Sequence, residues 1–524
     1  MARPELVIAL VGAAGAKLAS VSTQLKASLT SFGYKHVDIR LSDLLSRFRP
    51  EAVPPENNEF ERIRFLQKRG NDFRHKLGRG DALALAAILA MRESRTAVTG
   101  DPDTTAGDHV FILHQLKNPD EVDLLRKVYG ANFLLIAGHA PKEKREQDLT
   151  ESLERRDRQS NQSAEYRRKA SELIEIDEKE SDDLGQNTRD TYPKADFFSN
   201  LATGDGYDVR RFIDLFFGHP FHTPQAEEYA MYQASAVALR SSDSGRQVGA
   251  VIAAVTIESS RVRTADIIAV GANEVPRARG GYYSDGDSPD YRDQRLLSEN
   301  IDRARELKIG VLRELLEKMA AKKWFSAEIV GRDAGVLASG LIGDLRRTQF
   351  MDIGEFSRPV HAEMATLIDA ARRGVSVDGK SIYVTTFPCH NCAKHIIAAG
   401  ISRVVYLEPY PKSRARVLHK EELQLQSLTG LEETGKVVFT AFSGVAPRQY
   451  RQLFGMGERG KDKGRSLSDW SSLRAILAPP YIPETSAHSY LAAERDALRA
   501  LSDNVYRLAQ MKAASPTANE AEKN

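Results

Sequence analysis

The chain has 524 residues, 41% hydrophobic and 28% charged, enough for two or three domains with cores of their own. Its 74 basic residues are nearly balanced by 72 acidic ones, and a net charge of +2 argues against a large nucleic-acid-coating surface. No apolar run approaches the roughly 18 residues that span a bilayer, Met1 to Gly15 lacks the marks of a signal peptide, and two cysteines leave little for disulfides, so a cytoplasmic protein is expected.

In chain order, Leu6 to Val11 reads as a strand that passes into Gly12-Ala13-Ala14-Gly15-Ala16-Lys17 and then a helix through Leu29. Gly12, Gly15 and Lys17 are candidate nucleotide-binding residues, because glycines let backbone N–H groups approach phosphate and a lysine reaches its oxygens. The loop is shorter than G-x-x-x-x-G-K-[ST], with Ala16 before the lysine and Leu18 in place of the magnesium-binding hydroxyl. A βα turn that uses glycine for tightness fits as well, so a regulatory nucleotide is a better expectation here than hydrolysis.

Further strands are predicted at Tyr34 to Leu41, Val110 to His114 and Phe133 to Gly138, with helices at Asp81 to Glu93 and Pro119 to Tyr129. This alternation implies a parallel sheet over residues 1–220. Lys142 to Lys194 is densely charged, including Arg155, Arg156, Arg158, Arg167 and Arg168. A solvated face is the plainer reading and a phosphate-facing lid the alternative.

A boundary falls between Gly218 and Pro224, and residues 224–441 read as helix, hairpin, helix, strand, helix, strand, interrupted by an insertion over 280–356 with a helical core at Gln294 to Met319. The chemistry gathers in His361-Ala362-Glu363 and Pro388-Cys389-His390-Asn391-Cys392. One imidazole and two thiolates suit tetrahedral zinc and leave the fourth position to water, while Glu363 remains to move protons. His390 lies between the cysteines and is expected to face away. If His390 or His395 completed the shell, the zinc would be structural instead. Residues 442–512 form an aromatic and basic extension, and 513–524 a polar tail expected to be disordered.

From Glu227 to Pro411 the chain resembles the deoxycytidylate deaminase family, on the segments RSSDSGRQVGAVI, GANEVP, HAE and PCHNC. With the loop domain and LKNPDEVDLLRKVYG (Leu116 to Gly130), the whole is similar to bacterial anti-phage dCTP deaminases. The resemblance implies an α/β protein, a P-loop NTPase-like parallel-sheet domain followed by a cytidine-deaminase-like α/β/α domain. It also implies zinc on His361, Cys389 and Cys392, Glu363 as proton shuttle, Asn273 in nucleotide binding, deoxycytidine nucleotides as substrates, and a homo-oligomer. Arg246, beside a strand within RQVGAVI, is the phosphate-binding candidate, ahead of Arg240, Arg277, Arg279, Lys322 and Lys323. A tRNA or single-stranded DNA deaminase is the rival, for which the Phe442 to Lys463 segment would supply aromatic and basic groups.

Overall fold

The computed structural model describes all residues except 1–2, 49–54, 56–57, 158–162, 179–183, 202–206, 244, 259–260, 293–302, 326–328, 330–331, 346–347, 353, 410–412, 427–434, 456–466, 484 and 514–524. Two six-stranded sheets carry the chain. The first contains β1 (Leu6–Val11), β2 (Lys35–Arg40), β3 (His109–His114), β4 (Phe133–His139) and β5 (Phe197–Asn200). The second contains β6 (Gly249–Glu258), β7 (Arg261–Ala272), β8 (Ser381–Thr386), β9 (Arg403–Glu408), β10 (Leu423–Leu425) and β11 (Val437–Ala441), and a last short strand, β12 (Gly444–Val445), returns to the first.

The first sheet runs β12-β5-β4-β1-β3-β2, parallel except for β12. Its centre is β1, with Ile8 opposite Ile112 of β3 and Leu134 of β4 and all six of its residues buried, as a parallel strand covered on both faces requires. The helix Pro119–Tyr129 starts where its sequence says it should. Proline stands at its first turn, and Asn118 and Glu121 form a reciprocal capping box. Glu121 also pairs with Arg74 at 2.7 Å, and both side chains are buried. The helices Leu41–Phe48 and Glu59–Leu77 were not legible in the periodicity.

In the second sheet, ordered β10-β11-β9-β8-β6-β7, the hairpin β6-β7 and the pair β6-β8 are antiparallel and the rest parallel. The period-2 alternation of β6 sorts its side chains cleanly. Ala250 and Ile252 join a core with Ala362, Ala370, Ala393 and Ile396 of the two motif helices, whereas Val251 and Ala253 point to Ala230 and Ala234 of the helix Ala226–Ala238. That second core continues without a break to Val7, Ala9 and Leu135 of the first sheet. The two sheets therefore share one hydrophobic cluster.

The segment after Ala441, read from sequence as a separate extension, completes the first sheet. Gly444 pairs with Phe198 of β5, and Phe442 packs edge-on against the Phe198 ring. The helix Ser486–Ala513 then brings Glu494 into a buried cluster where Arg95 meets Glu494 at 2.8 Å and Glu5 at 2.6 Å, and Tyr129 donates its hydroxyl to Glu494 at 2.8 Å. The predicted tail from residue 514 onward lies outside the described residues. In the insertion, the helices Arg303–Ala321 and Ala334–Asp344 pack on each other through Leu312, Leu316 and Ala338; the part of the predicted helix before residue 303 is outside the described residues. Among the described residues no helix is long and apolar enough to cross a membrane.

Removing Glu494 leaves Arg95 buried with one carboxylate instead of two. Glu494→Ala should lower unfolding stability by about 3–5 kcal/mol, whereas Arg495→Ala, which removes a half-exposed pair with Asp103, should cost no more than about 1 kcal/mol. Urea unfolding of both variants checks this, and equal midpoints would contradict it.

Candidate active site

The site is built from two helix N-termini. His361 caps the helix Ala362–Arg372, and Cys389 caps the helix His390–Ala398, where its sulfur accepts the N–H of Cys392 at 3.5 Å. The turn Asn273-Glu274 places the first of them, since Glu274 and Val360 exchange backbone hydrogen bonds of 3.2 and 3.0 Å just before His361. Strand β8 places the second by ending at Thr386, three residues before Cys389.

His361 Nδ1 lies 3.4 Å from each of the two sulfurs, and the three ligand atoms all fall within 4.8 Å of one another. With zinc–sulfur bonds of about 2.3 Å and a zinc–nitrogen bond of about 2.0 Å, a tetrahedral corner puts nitrogen and sulfur about 3.5 Å apart, so the donor set fits zinc. Among the described residues this cluster has three members; His390 and His395 are not in it, and His390 Nδ1 is buried without a hydrogen-bond partner.

The protons in the cluster are divided unevenly. A hydrogen bond from Cys392 pushes the Cys389 thiol down to about 4, and Cys392 is driven up by the same contact and by burial. His361 is raised, chiefly through its hydrogen bond to Cys389. A cation bound by all three displaces these protons, as zinc does. Burial pushes the Glu363 carboxyl up to about 7, with Cys389 adding to the rise.

His361, Glu363 and Cys389 open onto a cavity of about 380 Å³. Asn273 and Arg246 line it too. Asn273 is 7% exposed and spends both ends of its amide on the chain, accepting from Val248 N at 2.7 Å and donating to Arg246 O at 2.8 Å. It thus fixes the wall from which Arg246 projects. Arg246 is half-exposed, pairs with Glu408 at 2.8 Å and donates to Thr386 at 3.1 Å. Arg240, Arg277, Arg279, Lys322 and Lys323 do not line this cavity.

The structure adds residues that the sequence reading missed. Thr386 and Glu408 stand at the C-terminal ends of β8 and β9, a position where α/β sites gather and which was therefore readable. Arg189, Asp190 and Pro193 reach the same cavity from the first half of the chain, and no local pattern marks them.

The glycine-rich loop is engaged by the chain itself. Lys17 pairs with Asp148 at 2.7 Å, and the N–H of Ala14 donates to Asp177 at 2.7 Å. Asp177 is further neutralised by Lys117 at 2.6 Å. Gly15 sits at φ +83°, where an added Cβ would stand 2.4 Å from the Arg145 carbonyl oxygen, so the helix Lys142–Asp157 closes directly over the loop. Gly12 follows β1 and lends its carbonyl to Lys117 at 3.2 Å.

Comparison with known proteins agrees with the metal cluster. Residues 224–408 match the family described as the cytidine and deoxycytidylate deaminase zinc-binding region. Deoxycytidylate deaminase of Enterobacteria phage T2 is 46% identical over 55 residues, 10% of this chain and 29% of that protein. ComE operon protein 2 of Bacillus subtilis (strain 168) is 48% identical over 54 residues, 10% of this chain and 29% of that protein. The chain therefore spans under a third of these relatives' length. The crystal structure of dCMP deaminase from cyanophage S-TIM5 aligns over 42% of this chain and 99% of its own, at 16% identity and a TM-score of 0.21. Residues 224–408 thus hold a zinc-binding deaminase region, with His361, Cys389 and Cys392 as its metal-ligand cluster.

Cys392→Ala should lose bound zinc, and His390→Ala should keep it. Metal content of the purified variants, measured by mass spectrometry, decides this; loss of zinc from His390→Ala would mean that the imidazole belongs to the shell.

Proposed function

We propose that the protein catalyses hydrolytic deamination of a free deoxycytidine nucleotide. The observation that carries this is that His361 and Cys389 of the three-ligand cluster and the buried carboxylate of Glu363 open onto one cavity. Bound there, zinc would supply a Lewis acid and a water made acidic enough to deprotonate near neutrality. Glu363, on the first turn after His361, takes a proton from water and returns protons to ring N3 and to the departing amine, so that water and a 4-aminopyrimidine become ammonia and the 4-oxo product. Asn273 holds the wall beside the cytosine, and Arg246 faces the phosphates across the rim.

Among deoxycytidine nucleotides the reading favours dCTP, with dCMP as the alternative. Arg189 arrives from the other half of the chain and gives the cavity a second guanidinium, and a longer phosphate chain needs more donors. The anti-phage role, by depletion of the dCTP pool in the cytoplasm, and a homo-oligomeric state belong to the same proposal through the family resemblance.

The polynucleotide reading is the alternative, and the described aromatics of its segment do not favour it; residues 456–466, with Arg459, Lys461 and Lys463, lie outside the described residues. The described aromatics of the Phe442 to Lys463 segment are spent on packing: Phe442 is buried, and Tyr450 stacks on Tyr232 at 4.1 Å between ring centres.

Glu363→Gln should keep zinc and lose deamination by at least about a hundredfold. Ammonia release from dCTP, dCMP and a cytosine-containing oligonucleotide tests the whole reading; turnover equal to wild type, or confined to the oligonucleotide, would end it. For the substrate, kcat/KM on dCTP should exceed that on dCMP and should fall about tenfold or more in Arg246→Ala, the loss of one charge-assisted phosphate contact. A preference for dCMP would reverse the assignment.

A further inference from the structure

The cavity onto which Glu363 opens is not a basic one. Its arginines and carboxyl groups are Arg189 and Arg246 against Asp190, Asp243, Glu363 and Glu408, so side-chain charge alone does not draw a phosphate into it. What can hold a phosphate there is a guanidinium whose N–H groups are already aimed, because much of the strength of such a contact lies in its geometry. Arg189 pairs with its own neighbour Asp190 at 3.2 Å. Arg246, by contrast, is held by residues far along the chain.

The holders are Thr386 and Glu408. They are register partners on the last rung between β8 and β9, and the N–H of Phe387 donates to the Glu408 carbonyl at 2.7 Å, so the two strand ends are tied together. From this rung the side chains close a triangle on the arginine. One terminal nitrogen of Arg246 meets the Glu408 carboxylate at 2.8 Å, the other donates to the Thr386 hydroxyl at 3.1 Å, and that hydroxyl donates to the same carboxylate at 3.4 Å. The anchor is set deeper than what it anchors, the Glu408 side chain being 26% exposed and that of Arg246 47%. A guanidinium carries more N–H donors than these two contacts use, and Asn273 fixes the Arg246 backbone separately. From Thr386 the chain runs through Phe387 and Pro388 to Cys389 of the metal cluster. The arginine and the cluster thus stand on a common base.

We propose that Glu408 is a positioning residue for the substrate phosphates. It fixes the Arg246 fork at a set span from the metal cluster, so that the phosphates of a deoxycytidine nucleotide meet a donor already aimed while the ring lies at the cluster. This role rests on the reading of Arg246 as the phosphate donor. Two effects of the carboxylate oppose each other. It repels an incoming phosphate, but at a half-exposed arginine water and salt screen that repulsion. It also spares binding the ordering of a long, flexible side chain, a cost that each binding event would otherwise meet. The second effect is the larger, since it works through direct contact and the first across solvent.

Steady-state kinetics of the full-length protein, on whichever of dCTP and dCMP it turns over faster, test this. With zinc content unchanged, Glu408→Ala should raise KM about fivefold and change kcat by less than about twofold, as loss of one aimed binding contact does. Glu408→Gln, which keeps an acceptor for the guanidinium, should stay within about twofold of wild type in KM. Thr386→Val keeps the shape of the strand end and removes the hydroxyl; it should move KM in the same direction as Glu408→Ala, and it serves if that variant does not fold. In an Arg246→Ala background, Glu408→Ala should raise KM no further, because the carboxylate acts through the arginine. An unchanged or lowered KM in Glu408→Ala, an equal loss in Glu408→Gln, or an undiminished effect of Glu408→Ala without Arg246 would each overturn the proposal, the last by showing a merely structural role. Arg246→Ala with wild-type kcat/KM, or no deamination of either nucleotide, would overturn the underlying reading and the proposal with it. A loss in Arg246→Ala beside an unaffected Glu408→Ala would leave that reading standing and remove Glu408 alone.

Discussion

The metal-cluster end of the molecule depends on how closely helices can approach the hairpin β6-β7. An added Cβ on Gly271 would stand 2.4 Å from the Thr366 nitrogen, and one on Gly249 would stand 2.0 Å from the Ala234 oxygen. These glycines are neighbours in the ladder, since Gly249 pairs with Ala272 and Ala250 with Gly271. One admits the helix that His361 caps, and the other admits the helix on the opposite face. Any side chain larger than hydrogen forces a helix outward, and at Gly271 the imidazole moves with it. Thr366 completes the seat by donating its hydroxyl to Ala362 O at 2.7 Å and Ala250 O at 3.1 Å, so the first turn is tied both to itself and to the sheet.

The metal ligands were legible because their chemistry is local. H-x-E and P-C-x-x-C each sit at the start of a helix, and the β-branched run before Pro388 announces the strand that delivers the cysteines. The order of elements from Ala226 to Glu408 followed from the same alternation. Strands β10 and β12 were not readable, being three and two residues long. The helix Glu59–Leu77 escaped for another reason. Its buried set includes the polar residues Gln67, Asn71 and Arg74, of which Gln67 donates to Leu173 O and Arg74 pairs with Glu121 far along the chain, and so its apolar periodicity is weak.

Long-range electrostatics explains the remaining gaps. In sequence, Lys17 is a cation beside a glycine loop, and nothing nearby reveals that Asp148, 131 positions away, will meet it. Arg189 is one charge in a charged stretch until folding places it on the wall of the cavity that His361 and Glu363 share. The arginines singled out in that stretch, Arg155, Arg156, Arg167 and Arg168, do not line that cavity, and Arg158 lies outside the described residues. A lone residue pattern cannot separate these fates, because both depend on which helix ends come together.

The shared core bears on how the two halves communicate. Val7, Ala9 and Leu135 of the first sheet belong to the same buried cluster as Val251, Tyr383 and Val405 of the second, so the halves are packed together as parts of one interior are. Close-packed interiors resist gradual sliding and favour discrete alternatives. The freedom to rearrange then falls to the edges of the interface, where the Arg416–Glu143 pair crosses between halves with both side chains substantially exposed. Such a pair is worth little in water. Phe387 cannot move so freely: it is held by Tyr406 at 4.9 Å and Phe439 at 5.4 Å between ring centres. Phe387 belongs to a rigid element joined by Pro388 to Cys389, whereas the exposed arginines of the rim can rearrange without disturbing the core.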